Sequence, residues 1–297
     1  MSDVPIALWA MNLGFSPRSA EAFANHVKSK MLEVKEEGGK LLVLPEFAIE
    51  ACLAFKPEGL KPTEEMAFLA SVGEEVRALL QPVPEETGVS LLLGSMPIVC
   101  EGGLTNTAVF YAADGREIRH DKLSLTPGEM DETTWNLVPG PAIRVFEWEG
   151  IKTAILICLD VEMPALSVML AEHKIELLLI PSMTEKLSGY HRVFDCAKAR
   201  AVELMCAVGV CGAVGASVGT TQMHTNVSGA ALFVPCEEPL GFTGVGSKTP
   251  TTDGCAGESP VLFATVPVTI IRELRSGDAE VWPGAWKADH VQVLVED

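Results

Sequence analysis

The chain alternates short apolar, β-branched runs with longer stretches whose apolar positions recur every three or four residues. Pro5-Ile6-Ala7-Leu8-Trp9 opens it as a strand. Ala20, Phe23, Ala24, Val27 and Met31 then keep helical spacing, with Ser16-Pro17 as the predicted start and Gly38-Gly39 as the stop. Lys40 to Leu44 reads as the next strand, halted by Pro45, so that Glu46 lies at its carboxyl end. Met66, Leu69, Ala70, Val76, Leu79 and Leu80 mark a second helix over 63–80, Pro82-Val83-Pro84 interrupts, and Val89 to Gly94 is a strand. Asp114-Gly115 is a hairpin turn signal. Thr153 to Ile157 predicts a core strand, 163–172 and 190–205 predict helices, and 177–180, 208–214, 227–234 and 261–268 predict further strands. This alternation, with no repeat or low-complexity linker, predicts an α/β fold.

Three strand ends carry candidate chemistry. Cys158 follows the 153–157 strand directly and precedes Leu159-Asp160-Val161-Glu162-Met163-Pro164. Asp160 suits a helix cap and Pro164 a first helical turn, so the thiol would sit at a helix N-terminus, where the dipole favours a thiolate. Glu46 offers a carboxylate on a sheet rim. His120-Asp121-Lys122 follows the predicted hairpin and places a lysine seven residues before Glu129. Each residue alone also has an ordinary reading, since free cysteine commonly packs as a small hydrophobe and Glu or Lys is usually a solvated surface group.

Taken together, Glu46, Lys122 and Cys158 in this order, with these neighbours, resemble the nitrilase, or carbon-nitrogen hydrolase, superfamily. The resemblance runs from Pro5-Ile6-Ala7-Leu8-Trp9 through Leu44-Pro45-Glu46-Phe47, Gly94-Ser95, Thr105-Asn106-Thr107-Ala108, Asp121-Lys122 and Pro139-Gly140. It continues over Cys158 to Pro164, Leu178-Leu179-Ile180-Pro181-Ser182, Arg200-Ala201-Val202-Glu203 and Ser228 to Pro235. It implies a four-layer αββα sandwich of two mixed sheets flanked by helices, and one carbon-nitrogen hydrolase domain over 1–297. It also implies a homodimer joined through helices, and a thiol hydrolase that cleaves the non-peptide C–N bond of a small amide without a cofactor. Cys158 would be the nucleophile, Glu46 the acid–base group and Lys122 the oxyanion stabiliser, helped by the Leu159 N–H, with Glu129 positioning substrate. Asp160 after Leu159 resembles the amide-cleaving branches more than the nitrile-cleaving ones, while nitrilase, N-carbamoyl hydrolase and acyl transferase activities remain open on the same machinery, and a non-catalytic scaffold is disfavoured by the intact set. Leu159, Met183 and Thr184 are expected at the substrate pocket, and Glu162 near it.

Composition narrows the partners. With 22 Lys and Arg against 40 Asp and Glu, the formal charge is −18, which repels nucleic-acid backbones and anionic membrane surfaces. The first fifteen residues lack a basic region and are broken by Pro5, Asn12 and Gly14, and no apolar run is long enough to cross a bilayer, so a cytoplasmic protein is expected. Eight cysteines without Cys-x-x-Cys spacing fit reduced thiols, and six histidines show no zinc pattern, so no metal is expected. Gly241 to Thr249 approaches a phosphate-binding loop, but Ser247 separates Gly246 from Lys248, so a plain loop is expected. The segment 268–297 is a tail whose Trp282-Pro283-Gly284-Ala285-Trp286 could cover a subunit interface or the chain's own core.

Overall fold

The computed structural model describes residues 3–282, 284 and 288–295. The chain runs β1 (Val4–Trp9), α1 (Ala20–Glu36), β2 (Leu41–Val43), α2 (Glu65–Leu80), α3 (Val83–Thr87), β3 (Ser90–Cys100), β4 (Gly103–Tyr111) and β5 (Glu117–Asp121). It continues with α4 (Pro127–Met130), β6 (Val145–Trp148), β7 (Ile151–Ile155), α5 (Pro164–Ala171), β8 (Leu177–Ser182), α6 (Leu187–Glu203) and β9 (Ala207–Gly212). β10 (Ala230–Phe233), β11 (Val245–Lys248), β12 (Val261–Val266) and α7 (Val268–Glu273) complete it.

Two six-stranded mixed sheets form, ordered β12-β1-β2-β3-β4-β5 and β11-β10-β9-β8-β7-β6. Their facing sides share one core: Ile6, Leu8, Val43, Leu92 and Phe110 of the first sheet cluster with Ala154, Leu177, Leu179, Val208 and Val210 of the second. The outer face of the first sheet packs Ala7, Leu42 and Leu91 with Phe23, Val27 and Met31 of α1 and Leu69 and Val76 of α2. On the second sheet, Val193, Phe194 and Ala197 of α6 join the shared cluster. Helices therefore flank two stacked sheets, the αββα arrangement that the resemblance implied. Among the described residues no helix is long and apolar enough to cross a membrane.

Several local expectations shift. Ser19, not Ser16, caps α1 by accepting from the Ala22 N–H at 3.1 Å. Pro82 does not merely interrupt: it is the N-cap of the short α3, with Pro84 inside the first turn, where a missing N–H costs nothing. The 241–249 segment is not a plain loop, because Val245–Lys248 pairs antiparallel with β10 as the sheet's edge strand. β3 extends well beyond Gly94, through a bulge between Leu92 and Ser95. That bulge matters for the site. Gly94 has φ +70, and a Cβ there would lie 1.9 Å from the Pro45 carbonyl oxygen, so only glycine admits the chain just before Glu46. In the tail, Trp282 donates to the Glu203 carbonyl at 3.4 Å, and Trp286 lies outside the described residues.

The Glu50 carboxyl is buried without a hydrogen-bond partner. It lies on the 3₁₀ segment Ala48–Phe55 that follows Glu46. Burial first, then the nearby Glu65 and Glu46 carboxylates, raise its pKa from 4.5 to about 8. Between these two values the folded state holds a proton that the unfolded chain has lost. Stability contributed by the neutral form is therefore complete below about pH 4.5 and is lost as pH rises toward 8, at up to about 1.4 kcal/mol per pH unit. Glu50→Gln keeps the shape without the ionisation. Its melting temperature should gain on the wild type progressively from about pH 5 to about pH 8; a difference independent of pH would show that Glu50 does not titrate there.

Candidate active site

Three strand ends converge between the sheets. Glu46 follows β2, with Phe47 next to it in the left-handed region at φ 49 and the Phe47 N–H donating to Ser95 Oγ at 3.2 Å. Gly94 and Ser95 thus set the turn that carries Glu46. Lys122 follows β5. Its N–H donates to the Asn106 carbonyl on β4 and its carbonyl accepts from the Gly140 N–H, both at 2.8 Å. A Cβ on Gly140 would meet Asp121 at 2.4 Å, which explains the glycine after Pro139. Glu129 is the third residue of α4, where it and Thr126 cap each other: Glu129 Oε2 accepts from the Thr126 N–H at 2.8 Å and the Glu129 N–H donates to Thr126 Oγ1 at 3.3 Å.

Cys158 begins the single 3₁₀ turn Cys158–Glu162 at φ 47, another non-glycine residue in a costly conformation. Asp160 does not cap α5, whose N-cap is Met163. Instead Asp160 Oδ2 accepts from the Ile157 N–H at 3.1 Å and Oδ1 from the Ser124 N–H at 2.7 Å. One carboxyl therefore ties the cysteine turn to the segment just after Lys122. Arg200 braces the same turn from α6, donating from Nε to the Val161 carbonyl at 3.1 Å while Nη1 pairs with Glu203 at 2.6 Å. The Arg200 to Glu203 motif is thus explained by support of the turn, away from the cavity.

The side chains meet in one buried cluster. Lys122 Nζ donates to Glu46 Oε1 at 2.8 Å and to Glu129 Oε2 at 2.7 Å. Asn106 Nδ2 bridges the same two carboxylates, 2.9 Å from each Oε1. The Cys158 thiol donates to the Met183 carbonyl at 3.6 Å, and Glu46 lines the same cavity. Burial would lower the Lys122 pKa, but the two carboxylates outweigh it and hold the lysine charged. Burial raises Glu46 above the ordinary carboxylate value against the pull of Lys122, and raises Cys158 well above the ordinary thiol, with Glu46 adding to the effect. The expected dipole-stabilised thiolate is therefore overturned. Both directions favour a neutral thiol beside a carboxyl made more basic by burial.

These groups line a cavity of about 250 Å³ with Phe47, Thr126, Gly128, Trp135, Met183, Glu185, Gln222 and Met223. Of the three expected pocket residues only Met183 is there. Leu159 is half-buried outside the lining, and Thr184 turns away to donate from Oγ1 to the Val227 carbonyl at 3.0 Å. Glu162 is engaged with Arg192 at 3.1 Å and is also outside. Sequence reasoning quoted Asn106 without a role and missed Phe47, Trp135, Glu185, Gln222 and Met223. The Met183–Glu185 pair could have been found from extended alternation beyond β8, since residues two apart share a face; Trp135 and Met223 come from distant loops and carry no local signal. Among the described residues no three His, Cys, Asp or Glu side chains are grouped to hold a metal.

Comparison with known proteins agrees with this architecture. The carbon-nitrogen hydrolase family model matches residues 6–237. The chain is 28% identical over 258 residues to a probable hydrolase, YhcX, of Bacillus subtilis, covering 86% of this chain and 48% of that protein. It is 29% identical over 163 residues to the omega-amidase NIT2 of Xenopus tropicalis, covering 53% of this chain and 56% of that one. The chain thus spans about half the length of these curated relatives. Among solved structures, a cysteine-to-alanine mutant of the Nesterenkonia AN1 amidase from the nitrilase superfamily superposes with a TM-score of 0.66 at 20% identity, over 92% of this chain and 94% of that one. A glutamate-to-glutamine mutant of the same amidase, showing Michael addition of acrylamide at its active-site cysteine, superposes with a TM-score of 0.66 at 21% identity, covering 92% and 97%. By its sequence match, and in keeping with its two-sheet fold, the chain belongs to the carbon-nitrogen hydrolase family.

Proposed function

We propose that the protein hydrolyses the C–N bond of a small amide through a thioester on Cys158. The observation that carries this reading is the meeting of Cys158, Glu46, Lys122 and Glu129 at one cavity, together with the amidase relatives that share the family and the fold. Glu46 takes the thiol proton as sulfur attacks the carbonyl carbon, which avoids a free buried thiolate. Negative charge develops on the carbonyl oxygen. Lys122 has three N–H donors and spends two on Glu46 and Glu129, leaving the third for that oxygen, where preorganised charge acts most strongly. Glu46 then returns its proton to the leaving nitrogen, the C–N bond breaks, and ammonia or an amine departs. Water attacks the thioester with Glu46 again as base, the C–S bond breaks, and the acid leaves as the thiol is restored. Glu129 and Asn106 hold Lys122 and Glu46 in register throughout.

An amide must expel its nitrogen in the very step that forms the thioester, whereas a nitrile first adds the thiol as a thioimidate and expels ammonia only after water attacks, so a proton-donating carboxyl beside the sulfur suits the amide. Steady-state kcat/KM for an amide and a nitrile sharing one acyl group should favour the amide. A clear nitrile preference would overturn the amidase assignment, and formation of an acylated second substrate without free acid would favour an acyl transferase. Exposed Val168 and Met169 on α5 and Leu187 and Val202 on α6 support pairing of two copies through these helices.

A further inference from the structure

We infer that the site selects amides whose acyl chain ends in a cation, read by the Glu185 carboxylate at the cavity wall. The inference rests on the amide-hydrolase reading and names its substrate class. Three acidic residues line the cavity, Glu46, Glu129 and Glu185, against one cationic residue, Lys122, among the described lining residues. Lys122 is already engaged by Glu46 at 2.8 Å and Glu129 at 2.7 Å, so the charge of Glu185 is not offset inside the cavity.

Its placement relative to the reacting sulfur follows from the chain. The Met183 carbonyl accepts from the Cys158 thiol, and Glu185 lies two residues further on, at most about 7 Å of extended backbone away. Thr184, between them, faces the other way: its Oγ1 donates to the Val227 carbonyl and its own carbonyl accepts from the Val227 N–H, both at 3.0 Å. The Glu185 carbonyl accepts from Thr225 Oγ1 at 3.0 Å. The main chain beneath Glu185 is thus fixed before any substrate arrives, which spares ordering cost on binding. The rest of the cavity wall is soft and aromatic. Phe47 and Trp135 pack with ring centroids 4.9 Å apart, and Met183 and Met223 also line the cavity. Methylene groups suit such a surface, and a passing cation is attracted to the aromatic faces. At the whole-molecule scale a charge of −18 raises the local concentration of cations and repels anions.

The substrate class is therefore a primary amide carrying an ammonium or similar cation about four or five bonds from the carbonyl carbon, a length set by the backbone span above. An amide with a terminal carboxylate is the class rejected. The test is kcat/KM for three amides of matched length: 5-aminopentanamide, hexanamide, and the monoamide of glutaric acid. Wild-type protein should prefer the cationic amide to the anionic one by about tenfold or more, with the neutral amide between, and the spread should shrink as salt is raised. The ratio of cationic to neutral kcat/KM, measured within each variant so that folding losses cancel, should fall in Glu185→Gln, and Glu185→Lys should place the anionic amide above the cationic. A neutral amide turned over with no cationic preference, or a ratio unmoved in both variants, overturns the inference and leaves the amide-hydrolase reading standing. Absence of turnover on all three, with ammonia released from a nitrile or an N-carbamoyl compound, overturns that reading and this inference with it.

Discussion

Cys158→Ala is expected to lower kcat for a primary amide by at least about 10³-fold, because without the sulfur water must attack the amide directly and the reaction loses its two-step path. Cys158 is buried in contact with the Met183 carbonyl, so alanine removes one atom from a packed turn and leaves the fold in place. KM should change far less than kcat, since the lining that holds substrate is untouched. Cys158→Ser is a sharper control. It keeps a hydroxyl of similar shape but a less nucleophilic atom, and it should recover little of the loss. Activity within tenfold of wild type in Cys158→Ala would remove the thioester from the mechanism.

Lys122→Met is expected to cost about 10²-fold or more in kcat, as for loss of a preorganised oxyanion donor. The substitution has a second consequence that separates catalysis from folding. Lys122 is hydrogen-bonded to Glu46, and its attraction works against the burial that raises that carboxyl. Without it, Glu46 must rise further. With Glu46 as the proposed base, kcat/KM should climb as pH rises through its pKa, and this acid limb should move to higher pH in Lys122→Met. A rise in KM alone, with kcat and the acid limb unchanged, would make Lys122 a binding residue. Loss of the lysine also leaves Glu46 and Glu129 buried without their cation, so lowered stability is expected alongside, and the limb position is read on the folded fraction.

Much of this was legible along the chain because the groups sit where simple patterns end. β2 stops at Leu44-Pro45 and delivers Glu46, the hairpin returns through β5 to Lys122, and the second sheet's β7 ends just before Cys158. Pairing within the first sheet brings Lys122 to 2.8 Å from Glu46, stacking of the second sheet sets Cys158 on the same cavity, and no local pattern records either. Asn106 shows the difficulty. In mid-strand it reads as one polar position among others, and its link to Glu46 and Glu129 exists only after β4 and β5 pair. Asp160 was legible as a cap by type and position, yet it caps the Cys158–Glu162 turn through the Ile157 N–H instead of α5, and its second oxygen is held by the distant Ser124 N–H, which no local pattern records. Thr184 was misplaced by one residue of alternation: the extended chain after β8 turns Met183 and Glu185 inward and Thr184 outward. The thiolate expectation gives way because burial raises the Cys158 thiol and the nearby Glu46 carboxylate adds to the rise.

The most direct test of the central claim is mass spectrometry of the protein quenched in acid during its first turnovers of a primary amide, followed by digestion. The peptide that carries Cys158 should gain the mass of the acyl group, with ammonia already released, and should lose it again to free acid when the quench is delayed after substrate is exhausted. An acyl group found on any other residue, or acid and ammonia formed at the full rate by protein whose Cys158 has been alkylated, would contradict the account.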